Sequence, residues 1–114
     1  MDGCVFCKVA AGTVPARILF EDDHVVAFHD ISPRAPVHVL VIPRRHIESL
    51  AETNDTDREL LATLLVAAAE VARRTGIAET GYRVVTNAGA EAGQTVPHLH
   101  LHVLGGRRLG WPPG

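Results

Sequence analysis

The chain has 114 residues, 46% apolar and 21% charged, and 11 Lys+Arg against 13 Asp+Glu leave a net charge of −2. These values fit one globular domain over residues 1–114, with a Gly/Pro-rich tail at 105–114, and exclude a disordered chain. They also speak against a dedicated nucleic-acid binder, which needs a basic surface, and no apolar run reaches the ~20 residues that cross a bilayer.

Residues 1–8 contain no basic stretch leading into an apolar one, so a cytoplasmic location is expected. In that reducing setting Cys4 and Cys7 are not expected to form a structural disulfide. A redox pair, half of a metal site and two inert thiols remain open. Residues 17–21 and 24–29 read as two β runs around Asp22-Asp23, hence a hairpin. A loop with Pro33 and Pro36 follows, then a short apolar strand over 37–42, ended by Pro43. The clearest helix comes next. Asp55 or Thr56 can cap it, Asp57 and Glu59 suit its positive end, and Arg73 and Arg74 suit the other. Leu60, Leu64, Ala67 and Val71 form its apolar stripe, widened by Leu61, Leu65, Ala68 and Ala72, and Gly76 ends it. Such a face covers a sheet and also suits a subunit contact. Residues 81–86 read as a strand, 87–96 as a Gly/Ala/polar loop and 98–104 as a last strand. The order β-β-β-α-β-β predicts an α+β fold, a mainly antiparallel sheet with a helix on one face.

Seven histidines are many for this length. In the last strand His98, His100 and His102 alternate with Leu99, Leu101 and Val103. A strand places the three imidazoles on one face, ~6.6 Å apart along the chain, and the apolar residues in the core. Two chemistries compete: convergence on zinc with an open position, or a covalent imidazole nucleophile whose neighbours handle protons. In the preceding loop, Gly89 and Gly93 allow close backbone approach, and Asn87, Gln94 and Thr95 suit phosphate oxygens. No Lys follows Gly93, so this is not a Walker A loop.

The run from His98 to Leu104 resembles the His-φ-His-φ-His-φ-φ signature of the histidine triad (HIT) superfamily, φ being apolar. Phe28-His29-Asp30-Ile31-Ser32-Pro33, Val41-Ile42-Pro43-Arg44-Arg45-His46-Ile47, Gly93-Gln94-Thr95-Val96 and the Leu104-Gly105-Gly106…Trp111-Pro112-Pro113-Gly114 ending resemble its Hint-like nucleoside phosphoramidase branch. The resemblance implies a five-stranded antiparallel sheet with one long and one short helix, paired across a two-fold axis in a homodimer. It implies hydrolysis of purine nucleoside phosphoramidates and acyl-adenylates to a nucleoside 5′-monophosphate through a nucleotidyl-histidine.

On this resemblance His100 is the nucleophile. His102 positions the phosphate and, with Thr95, assists protonation of the leaving amine; Thr95 stands where the family usually has Ser. His38 faces the triad from its strand and supports it. Asn87, Gly93, Gln94, Thr95 and Val96 hold phosphate oxygens, and Asp30 accepts from the ribose hydroxyls. Phe6, Val9, Phe28, Ile31 and Leu40 line the base pocket, with His29 at its edge. Pro97 replaces an aromatic residue common before the first triad histidine. Cys4, Cys7, His46 and His98 form a Cys2His2 set for structural zinc, while the chemistry itself needs no cofactor. The Trp111 tail reaches the partner's site. The expected partner is a purine nucleotide, with neither nucleic acid nor membrane. Three alternatives stay open: a nucleotide-binding regulatory module with incidental activity, a dinucleoside polyphosphate hydrolase, and a zinc hydrolase with all three strand histidines on metal.

Overall fold

A computed structural model describes residues 3–114; Met1 and Asp2, where the expected domain begins, lie outside the described residues. Five strands form one sheet: β1 (Ile18–Glu21), β2 (Val25–His29), β3 (Val37–Pro43), β4 (Tyr82–Val85) and β5 (Leu101–Gly105). Their order is β1-β2-β3-β5-β4, with every neighbouring pair antiparallel. The β1–β2 hairpin is tightened by Asp22, whose Oδ1 accepts from the backbone N–H groups of His24 at 2.7 Å and Val25 at 2.9 Å. Those two bonds hold the Asp22 carboxyl below its usual pKa.

β3 lies at the centre, and its apolar run from Val39 to Ile42 is buried. The period-two alternation divides its residues between two cores. Val39 and Val41 join Val25, Ala27, Leu101 and Val103 beneath the long helix α2 (Arg58–Thr75). Leu40 and Ile42 join Val26 and Phe28 beneath a short helix α1 (Val5–Ala11). Even-numbered side chains of β3 and β5 therefore face the α1 side.

Several local expectations need correction. The seven-residue α1 is the short helix that the resemblance implies, although the chain-order pattern reads no helix at that place. So short a segment has almost no periodic signal, and its N-terminal cap is the Cys4 sulfur, which accepts from the Cys7 N–H at 3.3 Å. Helix α2 is capped neither by Asp55 nor by Thr56. A 3-10 turn (Asp55–Asp57) precedes it, and Asn54 and Asp57 cap that turn reciprocally. Such a box needs an acceptor three residues on, and Asp57 supplies it. Leu65 lies outside the buried stripe, 59% exposed, beside Val66 at 66%. At the other end Gly76 closes α2 with a φ of 81°, as expected.

The last strand begins at Leu101 rather than His98. β5 pairs with β3 as far as Val41↔Leu101; continuing that register would oppose Leu99 to Pro43, which has no N–H to offer. The Leu99 N–H instead donates to the Ile47 carbonyl at 2.6 Å. Side-chain alternation survives this departure, and Leu99 stays in the α2-side core.

Candidate functional site

The register positions the histidines. Leu40 opposes His102 and His38 opposes Leu104, so His38 and His102 are diagonal neighbours on one face, within reach of two imidazoles. Their Nε2 and Nδ1 atoms are 2.8 Å apart. The Arg34 N–H donates to His38 Nδ1 at 3.0 Å, so that nitrogen is unprotonated and the ring proton resides on Nε2. His38 Nε2–H thus donates to His102 Nδ1, and His102 carries its own proton on Nε2. Asp30 Oδ2 lies 3.4 Å from His38 Nε2, and Asp30 Oδ1 accepts from the Ser32 N–H at 2.7 Å. Burial lowers the pKa of His38, opposed by Asp30. Burial, followed by the proximity of His100 and His38, lowers that of His102 to about 4. Both rings are neutral at pH 7.

His100 is buried, and its Nδ1–H donates to the His98 carbonyl at 2.6 Å. That bond leaves the lone pair on Nε2. The His100 carbonyl in turn accepts from the Thr86 hydroxyl at 2.8 Å. Phe6 stands edge-on to the His100 ring, centroid to centroid 5.0 Å.

Asp30, His100 and His102 border a cleft of about 380 Å³ on the α1 side, with His38 behind them. Among the residues singled out from sequence, Phe6, Val9, Phe28, His29, Asp30, Ile31, Leu40, Thr95, Val96, His100 and His102 line it. Sequence reasoning missed Val5, Val14, Pro15 and Ala16, which complete its apolar end. Asn87, Gly93 and Gln94 are not in its wall. The Gly93 N–H is taken by the Ala90 carbonyl at 3.0 Å. Gln94 braces its own loop, donating to the carbonyls of Glu48 at 2.7 Å and Val96 at 3.0 Å and accepting from the Gly89 N–H at 2.9 Å.

His98 points elsewhere. Its Nε2–H donates to the Pro43 carbonyl at 2.8 Å, which directs the Nδ1 lone pair toward Cys4 Sγ at 3.2 Å and Cys7 Sγ at 3.5 Å. His46 Nδ1 lies 3.3 Å from Cys7 Sγ, and all four donor atoms fall within 4.8 Å of one another. Zinc bonded to two sulfurs and two imidazoles would separate its ligands by about 3.3–3.8 Å, so the set fits a tetrahedral ion. The Pro43 carbonyl already orients His98 as such ligation requires. Asp30, His38 and His102 also bring donor atoms within 4.8 Å. There the proton fixed on His38 Nε2 blocks ligation, and the cluster holds hydrogens instead.

Fold and site define an α+β protein with a buried, tautomer-fixed imidazole at the mouth of an apolar cleft and a separate cysteine–histidine cluster behind it. The HIT domain family matches residues 11–109. A HIT-like protein of Synechocystis sp. is 50% identical over 110 residues, covering 96% of each chain. A HIT family hydrolase from Legionella pneumophila is 50% identical and superposes with a TM-score of 0.96, over 98% of this chain and 100% of that one. Another from Clostridium thermocellum is 49% identical with a TM-score of 0.94, over 96% of each. A histidine triad nucleotide-binding protein from Candida albicans is 32% identical with a TM-score of 0.83, over 96% of this chain and 83% of that one. The chain belongs to the HIT family.

Proposed function

We propose that the protein is a nucleotide hydrolase that cleaves purine nucleoside 5′-phosphoramidates and acyl-adenylates, releasing the nucleoside monophosphate. The observation that carries this reading is the His98 carbonyl on His100 Nδ1, which leaves Nε2 nucleophilic beside an apolar cleft. The base lies among Phe6, Val9, Phe28, Ile31 and Leu40, with His29 at the edge and Asp30 at the ribose. The two similar hydrolases and the nucleotide-binding relative support this choice of class and ligand.

His100 Nε2 attacks the α-phosphorus, and the bond from phosphorus to the leaving group breaks, to nitrogen in a phosphoramidate and to the carboxylate oxygen in an acyl-adenylate. The imidazolium formed is stabilised by its short Nδ1–H bond to the His98 carbonyl. His102 Nε2–H donates to a phosphate oxygen. With His102, the Thr95 hydroxyl, replenished from water at the exposed rim, passes a proton to the departing amine. Water then attacks phosphorus, its proton leaves by the same route, and the electron pair of the N–P bond returns to Nε2. The loop carrying Asn87, Gly93, Gln94 and Val96 shapes the phosphate end.

Cys4, Cys7, His46 and His98 would hold a zinc ion, which supplies a cross-link and no part of the reaction. A single domain paired as a homodimer completes the reading. Its support is the apolar exposure of Leu65 and Val66 on α2 and of Tyr82 at 40% and Val84 at 37% on the sheet's edge strand β4. Trp111 is 83% exposed and free to approach a partner. The test is release of AMP from adenosine 5′-phosphoramidate by the purified protein. Turnover supports the reading; AMP bound without turnover of any nucleoside phosphoramidate favours a binding module.

A further inference from the structure

The cysteine–histidine cluster and the nucleoside cleft share one element, the seven-residue helix α1. A helix this short is unstable by itself, since isolated helices need ~12–15 residues even with favourable composition. Its two ends are held separately. At the C-terminal end the Arg44 guanidinium donates to the Ala10 carbonyl at 2.6 Å. At the N-terminal end the Cys4 sulfur both caps the helix and belongs to the cluster, and Cys7 lies one turn further on. Between those cysteines sits Phe6, 8% exposed, with its ring edge-on to Phe28 at 5.5 Å and to His100 at 5.0 Å. The same ring lies 6.0 Å from His98, itself one of the four donors. Phe6 therefore touches the donor cluster on one side and the nucleophile and apolar wall on the other.

We infer that metal occupancy at Cys4, Cys7, His46 and His98 governs nucleotide affinity through Phe6. A divalent ion of the zinc class fixes the N-terminal turn of α1, and that turn sets the wall against which the base packs. Without the ion, Cys4 and Cys7 are held by hydrogen bonds and apolar packing alone, and the turn that carries Phe6 is fixed less tightly. The coupling is reciprocal, because two ligands that favour the same arrangement must favour each other equally. This inference rests on the nucleotide reading of the cleft.

The test is a thermodynamic cycle with AMP and Zn²⁺ as probes. AMP affinity is measured calorimetrically on zinc-loaded and metal-stripped protein, and zinc affinity by competition with a chromophoric chelator, with and without saturating AMP. The expected result is AMP binding about tenfold weaker in the stripped protein, with zinc held tighter in AMP by the same factor, within the ~5–150-fold range of coupled sites. Phe6→Leu should bind AMP weakly in both states and abolish the difference. If stripping unfolds the chain, the chelator competition on loaded protein decides. AMP bound equally in both states, or zinc affinity indifferent to AMP, overturns the coupling alone. Loaded protein that binds no AMP overturns the nucleotide reading and this inference together.

Discussion

The Nδ1 atom of His100 lies 2.6 Å from the carbonyl oxygen of His98, two residues earlier in the chain. Because a carbonyl can only accept, this contact assigns the tautomer and leaves the in-plane lone pair of Nε2 facing the cleft. The contact strengthens as positive charge develops on the ring, which is when a nucleophilic imidazole needs it. Replacing His100 with Ala should lower turnover of adenosine 5′-phosphoramidate by at least about 10³-fold, the scale for losing a nucleophile. AMP binding, measured by calorimetry, should persist. A variant with wild-type turnover would contradict the assignment.

Thr86 holds the other side of the same residue. β4 ends at Val85, and the Thr86 hydroxyl supplies the His100 carbonyl with the donor that an extended ladder would have offered. Thr86→Val keeps the shape and removes the donor, leaving a part-buried carbonyl unsatisfied at a cost of about 1–3 kcal/mol. Thermal unfolding should show that loss, and kcat should fall with KM little changed. Thr86→Ser should restore both. Equal stability and kcat in Thr86→Val would refute the role.

His38 controls which nitrogen of His102 carries the proton. In His38→Phe the Nδ1 of His102 loses its donor, the ring is free to place its proton there, and the phosphate loses a hydrogen bond. We expect kcat to drop about tenfold or more, the loss of one partially effective proton-handling contact. Nitrogen NMR of the His102 ring should move from the Nε2–H pattern toward a mixture. An unchanged NMR pattern in the variant would show that His38 does not set the tautomer.

Acid should destabilise the protein before its carboxylates titrate. His102 has a folded pKa of about 4, below the ordinary value of 6.5. Between those pH values the unfolded chain binds a proton that the folded chain does not, so stability falls as pH is lowered through this window. Fully expressed, the shift corresponds to on the order of 3 kcal/mol, and the buried His38, also lowered, acts in the same direction. Urea unfolding at pH 7, 5 and 4 measures this. His102→Gln should flatten part of the slope, and an unaltered slope would place the effect elsewhere.

Much of the fold was legible because the chain alternates cleanly where it is strand and repeats at three to four where it is helix. β2, β3 and α2 come directly from those patterns, and the Gly76 cap from glycine's tolerance of a positive φ. Helix α1 was not legible from periodicity, being too short for a period and capped by a sulfur; only the resemblance implied a short helix. The early start expected for β5 failed because Pro43, on the neighbouring strand, cannot continue the ladder. The same even-numbered alternation brings His38, His100 and His102 to one face, where the candidate site lies. Gln94 was ambiguous for a different reason. A glutamine in a polar loop suits a phosphate and a loop brace equally, and only the carbonyls of Glu48 and Val96 tell the two apart. Thr86 carried no signal either, since its partner is a backbone atom that composition cannot show.

In the proposed reaction, hydrolysis proceeds through phosphorus bonded to His100. Stereochemistry at phosphorus tests it independently of whether the intermediate accumulates. An adenosine 5′-thiophosphoramidate of one configuration would be hydrolysed in heavy-oxygen water and the configuration of the product determined. Two successive in-line displacements, first by His100 Nε2 and then by water, each invert the centre, so net retention is predicted. Net inversion would mean a single direct attack by water and would contradict the covalent role of His100.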